Sequence, residues 1–160
     1  MPALFSCSKK ASAKARALAK SLAGVFPESL FVARADKSVD WLVSFARYQG
    51  LEFLVIVSPK AVNQFEWRGI RVLEDSWKES FAALFSLLKE AALRKLRVSE
   101  LRLDVRDKKA ARLFGQLVDP ESACVDAEFS LAEKEKVFSL FEGPREVGPR
   151  FSLEGVSFAE

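Results

Sequence analysis

Residues 53–57 (FLVIV) form an unbroken apolar run, and a run this short admits few homes. A strand with one wet face alternates polar and apolar residues. A run with no polar member reads as a strand buried on both faces, as in a parallel sheet covered by helices. The preceding residues agree. Residues 3–6 (ALFS) read as a strand. Ser8 to Ser12 then open a helix reaching about Phe26, with Ala11, Ala15, Leu18 and Leu22 as its apolar stripe. Gly24 and Pro27 bound its end. A second strand covers 30–33, and Ser38 caps a helix over 39–49 that turns Leu42, Phe45 and Ala46 inward and stops at Gly50. Strand–helix–strand–helix–strand with short links predicts an α/β domain with a partly parallel sheet, its first and third strands adjacent.

The remainder is read the same way. Residues 65–73 are a β segment with Arg68–Gly69 as a turn or bulge. Ser76 and Glu79 make a capping box for a long helix with Trp77, Phe81, Leu84, Phe85, Leu88 and Ala92 inward. Leu101, Leu103 and Val105 alternate with Arg102 and Asp104 as a half-exposed strand, and 107–117 is helical. Val125, Ala127 and Phe129 predict another strand, and Ser130 with Glu133 caps a helix over 131–141. Gly143, Pro144, Gly148 and Pro149 predict a loop over 142–149. The last strand runs over 151–158, where the alternation slips at Glu154–Gly155 as in a β-bulge. With 160 residues, 49% of them hydrophobic, the chain can bury a core without disulfides. The expectation is one domain, 1–160, of two halves, about 1–75 and 76–160, each a small mixed sheet with helices.

Catalytic chemistry finds little support. There is no histidine, which removes the commonest general base and zinc ligand. No lysine phosphate loop, dinucleotide-type glycine motif or nucleophile elbow occurs. Ser8 and Lys9 are adjacent and do not point at each other on a helix start. Pairs such as Glu74–Asp75 or Asp104 and Asp107 read as surface charges and caps. Cys7 and Cys124 stand far apart and read as reduced thiols. We expect no enzyme activity, no metal, no cofactor, no small-molecule substrate and no membrane contact. The longest apolar stretch, 51–57, is interrupted by Glu52 and is too short to span a bilayer, and the basic N-terminus is not a secretory signal.

Charge is distributed unevenly. Residues 1–22 hold Lys9, Lys10, Lys14, Arg16 and Lys20 and no acid, whereas residues 119–160 hold ten acids against Lys134, Lys136, Arg145 and Arg150. Ligands of open α/β sheets collect beyond the carboxyl ends of parallel strands, where helix N-termini also point. Three such exits carry cations: Ser8, Lys9 and Lys10 after the first strand, Arg34 and Lys37 after the second, and Ser58, Pro59 and Lys60 after the third. Lysines, hydroxyls and backbone N–H groups together suit phosphate oxygens, and a solvated helix face explains the same charges without a ligand. Trp41, Phe45, Phe81 and Phe85 stand at helical spacing and are expected in the core. Trp67 is expected to be a buried strand residue rather than a base-stacking one.

Two stretches carry a family resemblance. The opening strand with SCSKKASAKARALAKSL (6–22) resembles the opening of the Brix-domain family of ribosome-biogenesis proteins, a strand, then Ser-Arg-Lys, then a basic helix. VGPRFSL (147–153) resembles that family's closing Gly-Pro-Arg-Phe turn and strand, and DKSVDWLVSFAR (36–47) its Lys-Ser-Leu helix start. The length resembles the short, archaeal-type members. The family's first arginine is Lys9 here, which loses bidentate phosphate contact, and residues 60–125 do not align. The resemblance implies two pseudo-symmetric halves, each similar to the anticodon-binding domain of class II tRNA synthetases. It also implies non-catalytic assembly or processing of ribosomal RNA or its precursor in the cytoplasm, with ribosomal proteins or other assembly factors as further partners. Ser6, Ser8, Lys9, Lys10, Lys14 and Arg16 would fall at the RNA-contacting start of the first half, and Gly148, Pro149 and Arg150 at the start of the last strand. For the latter three a bland alternative stands: Gly-Pro shapes the turn and Arg150 pairs with a nearby acid. With Lys20, Arg34, Lys37 and Lys60 these make up the expected RNA-binding set. The competing expectation is a protein-interaction adaptor that docks on a basic ribosomal protein through the acidic C-terminal third; the third is an enzyme of unrecognised type.

Overall fold

The computed structural model describes residues 2–91, 97–118 and 126–159. In chain order these form β1 (Ala3–Cys7), α1 (Ala13–Val25), β2 (Leu30–Phe31), α2 (Val39–Tyr48), β3 (Phe53–Ala61), β4 (Gln64–Val72), β5 (Trp77–Lys89), β6 (Leu101–Asp104), α3 (Lys108–Leu117), β7 (Phe129–Lys134), β8 (Val137–Glu142) and β9 (Arg145–Phe158). The strands join into one continuous mixed sheet, rather than the expected small sheet in each half, in the order β2-β1-β3-β4-β5-β9-β8-β7-β6, because β5 and β9 pair across the middle. β1 runs parallel to both β2 and β3, as expected. β3, β4 and β5 then alternate in direction, β9 pairs antiparallel with β5, and β8 and β7 follow antiparallel. β6 closes the order parallel to β7.

The apolar run behaves as its composition requires. Phe53, Val55 and Val57 point into the core under α1 and α3, while Leu54 and Ile56 point to the other face, under α2. The expected helices over the first half and over 107–117 form, with Ser12, Ser38 and Asp107 as N-caps accepting from Ala15, Trp41 and Ala110 backbone N–H groups. The larger core is aromatic. Trp67 lies 4.1 Å from Phe85 between ring centroids, Phe85 meets Phe151 at 5.1 Å, and Phe138 reaches Phe114 of α3 at 5.2 Å. Trp67 is buried, as expected.

Two expected helices are strands. Residues 77–89, given a long helix by the Ser76/Glu79 capping box, form β5. Phe81, Ala83 and Phe85 are buried, at a spacing of two, and Leu88 is exposed. Residues 131–141, given a helix by Ser130/Glu133, form the β7–β8 hairpin. Glu133 serves other backbone groups: its Oε1 accepts from the N–H of Arg106 and of Asp107, 2.7 Å each, and Oε2 from Lys136 N–H. The expected loop over 142–149 is mostly strand, because β8 turns at Gly143–Pro144 straight into β9. Two of the sheet's bulges sit where the sequence pattern slips. One leaves Ser80 unmatched opposite Gly69 and Ile70, the other leaves Glu154 between Leu153 and Gly155. The strand expected through Val125, Ala127 and Phe129 does not form over 126–128, and only Phe129 is strand, as the first residue of β7. Residue 125 and the inward position assigned to Ala92 lie outside the described residues, as does Cys124; Cys7 is a buried free thiol.

Candidate nucleic-acid interface

The parallel strands β2, β1 and β3 end at one edge of the sheet, and three short connections leave there. Ser8 N–H donates to the Val57 carbonyl at 3.0 Å, which ties the exits of β1 and β3 together. Ala11 N–H donates to the Ser8 carbonyl, closing a tight turn that leaves Lys9 and Lys10 exposed before α1 begins. Along α1 the sheet-facing residues Ala15, Leu18, Ala19 and Leu22 are buried, and Lys14, Arg16 and Lys20 are exposed. No acid lies in the first turn of α1. The helix N-terminus and its cations therefore favour an anion together. Lys14 Nζ donates to Asn63 Oδ1 at 2.9 Å, which brings α1 against the β3–β4 turn, just beyond the exposed Lys60 near the end of β3.

The other expected residues are placed differently. Arg34 is buried and spends its guanidinium on the chain: Nε donates to the Lys37 carbonyl at 2.6 Å and Nη1 to the Cys7 carbonyl at 3.3 Å. Burial pushes its pKa below the usual arginine range. It braces the exits of β1 and β2 and leaves Lys37, partly exposed, to face solvent. Ser6 is buried, and its hydroxyl donates to the Val32 carbonyl at 2.7 Å. Gly148 and Pro149 are buried and joined by a cis peptide bond. A Cβ on Gly148 would stand 3.0 Å from the Glu90 carbonyl oxygen, so the glycine admits that close approach. Arg150 neighbours the core residue Phe151 in the strand and projects from the opposite sheet face, away from α1. There it forms a two-pronged pair with Glu146, with Nε 2.9 Å from Oε2 and the second prong from Nη2 to Oε1. That pair holds the Glu146 carboxyl at about 2, down from an ordinary 4.5.

Lys9, Lys10, Lys14, Arg16, Lys20 and Lys60 thus belong to one exposed basic region, and Ser8 and Lys37 border it. Ser6 and Arg34 support it from within. The C-terminal trio divides. Pro149 lines a cleft of about 380 Å³ together with Lys14, Lys20, Leu87 and Glu90, and Arg150 is turned away.

The fold has a solved counterpart. The chain is similar to the crystal structure of a probable ribosomal biogenesis protein from Aeropyrum pernix K1, with a TM-score of 0.69 and 17% identity over 95% of this chain and 94% of that one. No protein-family model matches the sequence, and no curated protein matches it.

The placement of Trp41 beside this edge was not legible in the sequence. Trp41, expected in the core, is 43% exposed, because Val39, Leu42, Val43 and Ala46 take the inward stripe of α2 and Trp41 stands off it. Its ring stacks on Phe45 at 5.4 Å and carries the Lys37 ammonium 5.1 Å from its centroid. Phe45 is partly buried beside the α2 core rather than within it. Arg68 is engaged by Glu79 across β4 and β5. No helix among the described residues is long and apolar enough to cross a membrane.

Proposed function

We propose that this chain is a non-catalytic ribosome-biogenesis factor, a single Brix-like domain that binds ribosomal RNA or its precursor through α1 and the adjoining strand exits. The observation that carries the reading is the basic display itself. Lys9, Lys10, Lys14, Arg16 and Lys20 stand exposed with no acid among them, at the end of a sheet where helix N-termini converge. The whole-length likeness to a probable ribosomal biogenesis protein supports the setting. The further reading of two pseudo-symmetric halves, like anticodon-binding domains, is supported by strand pairing. The series β1, β3, β4, β5 pairs parallel, antiparallel, antiparallel, and so does the series β6, β7, β8, β9, which puts the division of this reading after β5 rather than near residue 75.

In this reading the protein works by holding phosphates, with no reaction of its own. Binding of a ribosomal RNA fragment should fall linearly on a log–log plot against salt, by about 0.9 or less in slope for each phosphate neutralised. A filter-binding or fluorescence titration at several salt concentrations measures it. Absence of saturable binding, or affinity indifferent to salt, would refute the reading. The dialysed protein should also carry no stoichiometric zinc or magnesium by elemental analysis, and no nuclease activity should follow it through purification.

A further inference from the structure

The geometry points to Trp41 as a stacking platform for an unpaired base, set at the rim of the basic edge, so that the RNA taken there includes a single-stranded nucleotide. This rests on the RNA-binding reading and narrows it. Three observations carry it. Trp41 is the only tryptophan of three in the chain with much of its ring in solvent, at 43% exposure. Its ring packs on Phe45, within 8° of parallel at 5.4 Å between centroids. It is also coupled to the basic edge, because Arg34 bridges the Cys7 carbonyl at the end of β1 to the Lys37 carbonyl, and Lys37 lies over the Trp41 ring.

The local charge says which part of a nucleic acid would sit there. Asp36 and Asp40 flank Lys37, and the Asp40 carboxylate accepts from Trp77 Nε1 at 2.9 Å. The patch therefore has no net positive charge and does not suit a duplex backbone. It offers a ring face with one mobile cation. A surface cation–π contact is weaker than a base stacked on an aromatic ring. A base can thus displace the Lys37 ammonium, which then reaches a flanking phosphate. Trp41 lies on α2, over the sheet face opposite α1, so phosphates at Lys9 and Lys10, in the turn at the end of β1, would hold the strand as it passes between the faces, and Trp41 would select for a base free to leave its helix.

The test compares a short oligouridine with a blunt-ended RNA duplex on the purified full chain. Trp41→Ala should weaken oligouridine binding about ten-fold, leave duplex binding unchanged and leave the salt slope unchanged. Trp41→Phe should recover most of the loss. Oligouridine should quench tryptophan fluorescence in the wild type and not in Trp41→Phe, a readout that survives any instability of the alanine variant. If the wild type binds oligouridine while both variants bind it equally well, the platform is overturned and the RNA reading stands. The platform is likewise overturned if Trp41→Ala keeps RNA binding and loses instead a ribosomal protein bound by the wild type. If the wild type binds neither RNA, both readings fall.

Discussion

Phe85 shows how one side chain joins the two ends of the chain. It sits on β5, 1% exposed, between Trp67 of β4, Phe151 of β9 and Phe114 of α3. Removing its ring leaves a cavity that the surrounding strands cannot close without breaking ladder hydrogen bonds. Phe85→Ala should cost about 3–5 kcal/mol in urea denaturation. A loss under about 1 kcal/mol would mean that this cluster does not hold α3 to the sheet. Glu146 makes a different kind of contribution. Its carboxyl titrates at about 2 in the folded chain because the Arg150 guanidinium grips it, against 4.5 ordinarily. A depressed carboxyl stabilises the fold fully above its unfolded value, and that stabilisation disappears as pH falls toward the folded one. Stability should therefore drop between about pH 4.5 and 2, and Glu146→Gln should remove its share of that drop. Urea midpoints for both proteins across the window measure the difference. Identical pH slopes would mean that the pair is not formed in solution.

At the scale of elements, the first half was legible because three signals agreed in each piece: a cap, a periodicity and a stop. Ser38 caps the helix it was expected to cap, Ser12 caps the helix expected to open over Ser8 to Ser12, and the FLVIV run is buried on both faces. The stretch from residue 76 onward misled where two periods share a spacing. Phe81 and Phe85 are four apart, which suits one face of a helix and one face of a strand equally. Leu84, Leu88 and the Ser76/Glu79 pair then completed a helical pattern, and only the pairing of β5 with β4 and β9 decides against it. The β7–β8 turn gave no warning either. Glu135 and Lys136 both take positive φ, at 54° and 65°, a conformation that sequence usually signals with Asn-Gly. The β4–β5 bulge can be tested directly. A Cβ on Gly69 would lie 2.1 Å from the Phe81 ring, and that ring is itself buried. Gly69→Ala should cost about 1–3 kcal/mol through overpacking. Adding Phe81→Leu should give back part of the loss in the same denaturation assay, as neighbours in contact do. Strictly additive losses would place the two residues apart.

Across the whole molecule, charge separates along the sheet order. The basic turn and α1 belong to β1 and its neighbours, and the acidic third contributes β7, β8 and β9 beyond β5. The basic half of this pattern was legible from spacing alone. What spacing could not show is that Ser6 and Arg34 point inward, that Arg150 lies on the far face, and that Trp41 lies outside the core. Each depends on partners brought in from elsewhere in the chain. The polarity makes a prediction that local interactions do not. If RNA is held by the field of α1, reversing charge there should matter and reversing it at the far end should not. Lys10→Glu with Lys14→Glu should weaken duplex and single-stranded RNA alike and flatten the salt dependence by about one unit of slope per lost contact. The Lys14 bond to Asn63 is exposed, so stability should change by under about 1 kcal/mol. Lys134→Glu with Lys136→Glu makes the same change in net charge at the β7–β8 turn, where both lysines are equally exposed. That variant should bind RNA nearly as the wild type does. Equal loss in both double variants would mean that net charge alone drives association. No loss in either would reduce the basic helix to a solvated face, and the proposed function would rest on the likeness of fold.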